Sequence, residues 1–317
     1  VGSEMCIRDR YYKASTAKEF LDALTAVKAS GAKTVIEITE DINLGCNEID
    51  DFGSYSKIIK AYTAQPLTHP TLIKTGVSVL MLDGFANVTI FSSNGSSIKH
   101  ANITMKNSSN IIIRNIKFDE LWEWDEETSG DYDRNDWDYM TIDSACNGIW
   151  IDHCTFYKAY DGVIDVKNPS PENNVTISWC EFLPGSEDDI FFDAMMDELG
   201  RNPEKYPYYQ HLLDAGMTKS QIRGYAYGQK KTHLFGQSDE AANAAGIKVT
   251  LANNYYYNSM DRMPRLRYGY THVYNCIMDA QELRDTRKSI TNEDIAKKIV
   301  SNGASSTCGA QVLLENC

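Results

Sequence analysis

Residues 148–156, GIWIDHCTF, and residues 174–182, NVTISWCEF, share one pattern of nine positions. In each, apolar residues alternate with polar ones, a polar or cysteine turn position follows, and an aromatic residue closes the segment. The further copies are NIIIRNIKF at 110–118 and KVTLANNYY at 248–256, and the weaker ones are THVYNCIM at 271–278 and QVLLENC at 311–317. Alternation with a period of two predicts short strands whose every second side chain points to the same face.

The spacing of the copies indicates how these strands are arranged. From Ile149 to Val175 is 26 positions, and from Val249 to Thr271 is 22. One coil of that length cannot bury its apolar face alone, whereas stacked coils form a continuous core. The sequence therefore predicts an all-β solenoid, a right-handed single-stranded parallel β-helix. The alternative, an antiparallel sandwich, would need hairpin signals such as Asn-Gly between the strands, and these are scarce.

Three segments depart from the repeat. Residues 16–19, TAKE, fit a capping box and are followed by apolar residues at helical spacing, which predicts a helix that caps the N-terminal end of the solenoid. Residues 119–140 are acidic and aromatic, and residues 183–230 form a longer insertion with helix-like pieces. Long loops on a rigid scaffold usually build its functional face.

We expect a single domain over residues 11–317. Residues 1–10, VGSEMCIRDR, have neither a start methionine nor the apolar core of a signal peptide, and we interpret them as a non-native or artefactual leader. The chain stops inside a strand-like pattern, so we expect a truncated C-terminus. The seven cysteines beyond residue 10 show no CxxC pair and no zinc spacing. We interpret them as small core hydrophobes, with a disulfide between some of them as the alternative.

The charge balance limits the partners of the chain. With 44 acidic residues against 31 basic ones, the formal net charge is -13. An acidic surface of this kind disfavours nucleic acid and anionic membranes. No run of about 20 apolar residues is present, so no segment is predicted to span a membrane. An anionic ligand would need local cations in order to bind.

Two pairs of aspartates are candidate cation ligands. Asp136 and Asp138 lie two positions apart at the end of the acidic segment, and Asp161 and Asp165 lie four apart in DGVIDVK. In an extended chain, positions two and four apart point to the same side, so each pair can converge on one cation. Hard oxygen ligands suit Ca²⁺ rather than zinc. An isolated pair of this kind is usually only a solvated acidic loop, but two pairs on stacked coils would lie side by side.

Basic residues follow on the next coils. Lys167 has the same parity as Asp165, Lys231 lies in QKKTHLFG, and Arg262 and Arg267 flank Pro264 in RMPRLR. Stacked coils would place these groups beside the aspartates on one face. A cation together with fixed guanidinium and ammonium groups would let an anionic polymer bind to an otherwise negative protein. Surface ion pairs between these arginines and acidic loops are the alternative.

Several of these motifs, taken in order, resemble the pectate lyase family, which includes plant pollen allergens and bacterial secreted lyases. The motifs are NIIIRNIKF, WIDHCTF, DGVIDVK, VTISWCEF, and RMPRLR followed by HVYN. The resemblance runs from about residue 16 to the C-terminus. It implies a parallel β-helix and Ca²⁺-dependent cleavage of polygalacturonate by β-elimination.

The resemblance also implies a role for each candidate residue. Asp136, Asp138, Asp161 and Asp165 would bind calcium, Lys167, Lys231 and Arg267 would bind substrate, and Arg262 would be the catalytic base. Arginine is ordinarily protonated at neutral pH, so an arginine base implies an alkaline activity optimum. The polymeric substrate implies secretion, and we expect a monomer.

Two other groups of residues have open interpretations. Asp152 and His153 could form an acid–base pair, but their place at a strand end and turn favours a structural hydrogen bond. Trp122, Trp124 and Trp137 either stack on sugar rings or pack the acidic segment.

Three other functions remain as alternatives. A pectin lyase acts on methylated polymer without calcium and would lack the aspartates. A polygalacturonase would need a carboxylate pair as general acid and base. A non-catalytic polygalacturonate-binding β-helix would not need Arg262.

Overall fold

The computed structural model of the protein describes residues 10–30, 32–62, 64–126 and 134–317. Nearly all of the predicted leader, and the middle of the acidic segment, lie outside the described residues. The α-helices within them are α1 (Ala17–Ser30), α2 (Pro70–Thr75), α3 (Ile190–Arg201), α4 (Pro207–Asp214), α5 (Lys219–Tyr227), α6 (Gln281–Ser289) and α7 (Glu293–Ala296). Short 3₁₀ helices span Phe52–Tyr55, Pro203–Lys205 and Ala242–Gly246. No helix in this part of the chain is long and apolar enough to cross a membrane.

Short strands alternate with turns along most of the chain. They are β1 (Tyr11–Ala14), β2 (Thr34–Ile38), β3 (Ile42–Asn43), β4 (Ile59–Ala61), β5 (Ser78–Asp83), β6 (Ala86–Phe91), β7 (Ser97–Lys99), β8 (Ala101–Lys106), β9 (Ser109–Arg114), β10 (Lys117–Asp119), β11 (Met140–Ile142), β12 (Asn147–Asp152), β13 (Thr155–Phe156), β14 (Ile164–Val166), β15 (Asn173–Ser178), β16 (Glu181–Phe182), β17 (Leu234–Phe235), β18 (Ile247–Ala252), β19 (Tyr255–Tyr257), β20 (Arg265–Arg267), β21 (Tyr270–Tyr274), β22 (Ile277–Asp279), β23 (Ser305–Thr307) and β24 (Gln311–Glu315).

These strands form three sheets that run along the solenoid. Sheet A has the order β1-β2-β6-β9-β12-β15-β18-β21-β24, sheet B the order β22-β19-β16-β13-β10-β7-β3, and sheet C the order β23-β20-β17-β14-β11-β8-β5-β4. Neighbouring strands are parallel, except that β4 and β5 are antiparallel. Ile149 pairs with Val175 and Val249 with Thr271, at the predicted spacings. The parallel β-helix is thus confirmed, and the antiparallel sandwich is excluded.

The aromatic residue that closes each copy forms a ladder inside the core. Phe118, Phe156, Phe182 and Tyr256 are buried, and their consecutive ring centroids lie 4.8, 5.3 and 4.7 Å apart with interplanar angles of 8° or less. This separation matches the roughly 4.8 Å spacing of hydrogen-bonded strands. Each ring therefore packs on the ring of the next coil, which fixes the register of the stack.

The cysteines of the repeat fill the interior beside this ladder. Cys154, Cys180 and Cys276 are buried, and each thiol lies near a backbone carbonyl of the preceding coil. All described cysteines are free thiols, so no disulfide links them. For these three residues, the interpretation as small core hydrophobes is confirmed.

The predicted helices are also present. Helix α1 begins directly after Thr16, as the capping box predicts, and the insertion contains α3, α4 and α5. Trp122 packs on Phe192 and Trp124 on Tyr208, at centroid distances of 5.1 and 5.6 Å. With Trp137, these tryptophans are at most 1% exposed. They pack the acidic segment and the insertion against the solenoid and do not present free faces to a sugar.

His69, which precedes β5, packs against helix α3 of the insertion. Its ring stacks on Phe191 of α3 with centroids 3.7 Å apart, and its Nε2 lies 2.8 Å from the Phe191 carbonyl. Its Nδ1 accepts from Thr71 N at 3.0 Å and caps α2. Because Nδ1 accepts, Nε2 carries the proton and donates to the carbonyl, so the ring is neutral. Burial lowers the pKa of His69 to about 4.

We expect His69 to make folding sensitive to acid. Its pKa is about 6.5 in an unfolded chain and about 4 when folded, so the unfolded state binds more protons between these values. The stability from His69 is complete above about pH 6.5 and falls by roughly 3 kcal/mol as the pH drops to 4. His69→Asn keeps a capping acceptor, lowers stability at pH 7 and flattens this part of the profile. Urea unfolding from pH 7 to 4 tests the prediction, and parallel profiles for the two proteins would contradict it.

Candidate active-site groove

The predicted site residues lie on four consecutive rungs of sheet C. Asp138 precedes β11, Asp165 lies in β14, Lys231 precedes β17, and Arg262 precedes β20. The bends before these strands also stack, because Val163 N donates to Thr232 O and His233 N to Arg262 O, both at 2.8 Å. Residues far apart in sequence are thereby held side by side along the solenoid.

Two buried carboxylates converge over a glycine. Asp138 and Asp165 are 1% and 3% exposed. A Cβ added to Gly162 would lie 2.7 Å from Asp138 Oδ1 and 2.9 Å from Asp165 Oδ1. Gly162 N also donates to Asp138 Oδ1 at 2.9 Å. A side chain at position 162 would push the two carboxylates apart, so glycine is part of the site.

Two lysines pair with aspartates of the cluster, Lys167 with Asp165 and Asp138, and Lys231 with Asp161. Lys167 Nζ is 3.2 Å from Asp165 Oδ2 and 3.9 Å from Asp138 Oδ2, and Lys231 Nζ is 2.5 Å from Asp161 Oδ1. Lys230 instead places its ammonium over the Tyr225 ring, 3.4 Å from the centroid. Of the two adjacent lysines, Lys231 is therefore the one that faces the cluster.

The carboxylates carry more negative charge than their surroundings readily stabilise. Burial, with the charge of Asp165, raises the pKa of Asp138 well above its ordinary value, and burial also raises the pKa of Asp165. Burial raises the pKa of Asp161 to about 6, although Lys231 opposes the shift. Burial opposes the charged form of Lys167, but Asp165 and Asp138 outweigh it and raise the pKa of this lysine. Another cation in the cluster would relieve this repulsion.

Asp136 is placed differently from its predicted partner. Its φ of 59° is left-handed, and its side chain is exposed, whereas Asp138 is buried. The chain here is therefore not extended, and the parity argument does not describe this pair. Asp136 nevertheless acts on the cluster, because burial and then the proximity of Asp136 raise the pKa of Asp161, against the opposing effect of Lys231. Asp136 stands at the rim of the cluster.

The donor set suits a hard cation. Carboxylate oxygens of Asp138, Asp161 and Asp165, with Asp136 at the rim, are the ligands that Ca²⁺ prefers. Among the described residues, no three or more His, Cys, Asp or Glu side chains already converge tightly enough to hold a metal ion. The ammonium groups of Lys167 and Lys231 lie among these carboxylates. The oxygen ligands and the repulsion between the buried carboxylates thus fit Ca²⁺. For Ca²⁺ to bind, Lys167 and Lys231 would have to move away from the carboxylates.

The two outer arginines of RMPRLR have different surroundings. Arg262 has a left-handed φ of 64°, and its charge lowers the pKa of nearby Asp165, although burial has the larger, opposite effect. Within the described part of the chain, the buried Nε atoms of Arg262 and Arg267 both lack a well-aligned hydrogen bond, so the two differ in their ion pairs and Nη contacts. Arg267 pairs with Asp239 through Nε at 2.6 Å and donates from Nη1 to Gly236 O at 3.2 Å. Arg262 is thus the less engaged guanidinium at the cluster.

Some residues of the site escape sequence reasoning. The buried side chain of Gln229 donates to the carbonyls of Asp161 and Lys231, at 2.9 and 2.7 Å. Thr141 donates to Asp138 Oδ2 at 3.2 Å. Gln229 thus holds the backbone at Asp161 and Lys231, and Thr141 holds the carboxylate of Asp138. Gln229, Thr141 and Gly162 belong to no recognisable motif. Their closeness in sequence to the predicted site residues was the signal that could have identified them.

The groove continues beyond the carboxylates toward the N-terminal rungs of sheet C. A cavity of about 320 Å³ there is lined on one side by Asp136, Asp138 and Lys167. Its other side carries Lys60 and Lys106 on β4 and β8. Basic groups therefore flank the carboxylate cluster on both sides along the axis of the solenoid.

Fold and groove together define a class of protein: a parallel β-helix with buried carboxylates and basic groups along one sheet, suited to an extended anionic ligand. The family model described as pectate lyase matches residues 9–191 and 219–309. The chain belongs to the pectate lyase family of polysaccharide lyases.

Individual relatives agree with this assignment. Pectate lyase B of Paenibacillus amylolyticus is 48% identical over 305 residues, which cover 92% of this chain and 76% of the relative. The pectate trisaccharide-lyase of Thermotoga maritima is 29% identical over 235 residues, 70% of this chain and 51% of the relative. The solved pectate lyase pelN from Paenibacillus sp. 0602 superposes with a TM-score of 0.88 at 43% identity, covering 96% of this chain and 69% of that one. The chain thus spans between half and about three quarters of these relatives.

Proposed function

We propose that the protein is a calcium-dependent pectate lyase that cleaves α-1,4-polygalacturonate by β-elimination and releases 4,5-unsaturated oligogalacturonides. One observation carries the proposal: buried Asp138 and Asp165 converge over Gly162, with basic side chains on the same and adjacent rungs. Such an arrangement can bind and polarise the carboxylate of an acidic sugar. A protein that binds a neutral sugar would not need it.

The basic residues would bind and orient the substrate. Lys167 and Lys231 already pair with carboxylates, and both can exchange these partners for the carboxylate of a galacturonate residue. The planar guanidinium of Arg267 can bind the carboxylate of a second uronate through two parallel hydrogen bonds. To do so, it would have to break its ion pair with Asp239. Bound Ca²⁺, held by Asp136, Asp138, Asp161 and Asp165, would draw charge from the substrate carboxylate and so acidify the neighbouring C5 proton.

Arg262 would remove that proton through a terminal nitrogen of its guanidinium. Its Nε makes no hydrogen bond among the described residues, so no partner holds the side chain through that atom. As the C5 proton leaves, negative charge develops on the adjacent carboxylate, and the nearby lysines stabilise it. The C4–O bond then breaks, which leaves a C4–C5 double bond without consuming water.

The substrate also bears on where the enzyme acts. A polymer of this size does not enter a cell intact, so we propose a secreted enzyme. The acidic composition argues against nucleic acid and anionic membrane lipid as partners, and the lysines of the groove supply the local positive charge that polygalacturonate would need. We propose that it acts as a monomer, since the groove draws its residues from consecutive rungs of one chain.

Unsaturated products provide the test. Incubation with de-esterified polygalacturonate and Ca²⁺ should produce ultraviolet absorbance from the new double bond, and a chelator should abolish it. Added Ca²⁺ should restore the rate. Absorbance on methylated pectin that resists the chelator would identify a pectin lyase. New reducing ends without absorbance would identify a hydrolase, and binding without either product would identify a non-catalytic protein.

A further inference from the structure

A second cluster of aromatic and basic residues lies at the end of the strands of sheet A, whereas the groove lies on sheet C. From β9 to β24, each rung places one left-handed residue directly after its strand of sheet A. Asparagine fills this position at Asn115, Asn253, Asn275 and Asn316, but two rungs carry His153 and Trp179. These equivalent positions serve as an internal comparison.

The comparison shows that folding alone favours asparagine. Asparagine tolerates left-handed backbone better than a bulky residue does. Asn115 Nδ2 donates to Ser92 O at 2.7 Å, and Asn275 Nδ2 donates to Asn253 Oδ1 at 3.1 Å, so the amides also bond along the stack. Trp179, with φ of 54°, gives up both advantages and leaves 56% of its surface exposed. Core packing does not account for such a residue, and strained positions of this kind are found at functional sites.

A buried network holds the cluster rigid from beneath. Asp152, 1% exposed, lies 2.8 Å from His153 Nδ1 and 3.4 Å from Arg114 Nε, and it accepts from Ser178 Oγ at 2.7 Å. Ser178 Oγ in turn accepts from Trp150 Nε1 at 2.8 Å. Exposed groups are thus fixed by a buried carboxylate and hydroxyl, an arrangement typical of a preorganised binding site.

The exposed groups form one surface, which we call the Trp179 platform: Arg114, Trp150, His153 and Trp179. The His153 and Trp179 rings stack with centroids 5.9 Å apart at 20°, and Trp150 is 39% exposed. The side chain of Arg114 is 49% exposed and meets Asp152 through Nε, which leaves its terminal nitrogens for another carboxylate. A flat aromatic surface beside a guanidinium matches the apolar face and the carboxylate of a uronate ring.

We propose that the Trp179 platform is a second binding site for an acidic polysaccharide chain, separate from the groove on sheet C. The inference rests on the proposed function only in taking the same polymer, polygalacturonate. Sugar rings stack on Trp179 and Trp150, and the guanidinium of Arg114 binds the carboxylate of a uronate residue. The site holds the enzyme on the polymer while the groove acts on another part of the chain.

Affinity electrophoresis in gels containing polygalacturonate tests the platform. The parent is Arg262→Ala, which leaves the polymer intact during the run. In this background, Trp179→Asn installs the residue that flanking rungs use, so the variant should fold, and its apparent affinity should fall about fivefold or more. The matched control is Leu313→Asn in β24, also on sheet A and also 56% exposed, which should migrate like the parent. Equal retardation of Trp179→Asn and the parent would overturn the proposal.

Two further readouts separate this inference from the proposed function. Trp122, Trp124 and Trp137 are buried, so a fluorescence change on adding polygalacturonate should come mainly from Trp150 and Trp179 and shrink in Trp179→Asn. An undiminished change in that variant would overturn the platform. Equal retardation in a neutral galactan gel would overturn the acidic assignment. Wild-type protein that forms no unsaturated product, yet loses retention with Trp179→Asn, would refute the lyase proposal and leave the platform standing.

Discussion

Replacing Arg262 with alanine should lower kcat on polygalacturonate by about 10³-fold or more, while KM changes little. Loss of a group that transfers a proton in the transition state typically costs about 10² to 10⁴ in rate. In the proposed mechanism Arg262 has that role, and its charge already acts on the Asp165 carboxylate, whose pKa it lowers against the larger, opposite effect of burial. Lys167, Lys231 and Arg267 remain to bind the polymer, so affinity should survive. Initial rates of ultraviolet absorbance, measured over a range of polymer concentrations, give both parameters.

Controls separate lost chemistry from lost structure. Arg284→Ala removes the same charge from an exposed position on α6 and should leave kcat unchanged. Calcium should raise the thermal midpoint of Arg262→Ala as much as that of the wild type, because no calcium ligand has been removed. Arg262→Lys tests the geometry, since a shorter ammonium keeps the charge without reaching the same point. An alanine variant within threefold of wild-type activity would remove Arg262 from the mechanism.

The fold was predictable wherever each coil repeats the same interior. The stacking of the aromatic residues at 118, 156, 182 and 256 is predictable from the sequence. They occupy the same position of the repeat, and residues at the same position on neighbouring parallel coils lie next to each other. The coil that contains β6 was not recognised as a copy. Its strand pairs with β9 in the same way, but it is followed by SSNG at 92–95 and no closing aromatic residue. The antiparallel pairing of β4 with β5 likewise had no signal, because it depends on how the chain enters the solenoid.

The site was predictable as a set of residue types and only partly as a geometry. Charged residues stand out in motifs, and stacking predicts that they meet. Gly162 and Gln229 did not stand out, because their roles depend on groups that approach from other coils. Gln229 contacts the carbonyl of Asp161, which lies 68 positions earlier. The left-handed bend at Asp136 was also hidden, since a period-two argument assumes an extended chain.

Asp138→Asn should abolish activity and calcium binding, yet stabilise the calcium-free protein. Asparagine has the shape of the protonated acid, and burial together with the charge of Asp165 already disfavours the ionised form of Asp138. Removing the charge relieves repulsion with Asp165, although it also removes the 3.9 Å contact with Lys167. Asp165 remains to pair with Lys167 at 3.2 Å. We expect a net gain of about 1 kcal/mol without calcium, within the usual range for neutralising a buried, repelled charge.

The sign of the stability change is the decisive measurement. In the wild type, a ligand that binds only the folded state stabilises it by about 2.7 kcal/mol at 100 times its dissociation constant. Asp138→Asn should lose this increment, so the two thermal unfolding curves should exchange order when millimolar calcium replaces chelator. Asp83→Asn is the matched control, because this exposed carboxylate also lines the groove, but it hydrogen-bonds Asn107 and not Asp138 or Asp165. A variant that is less stable than wild type in chelator, or equally stabilised by calcium, would show that Asp138 is a structural anion and no metal ligand.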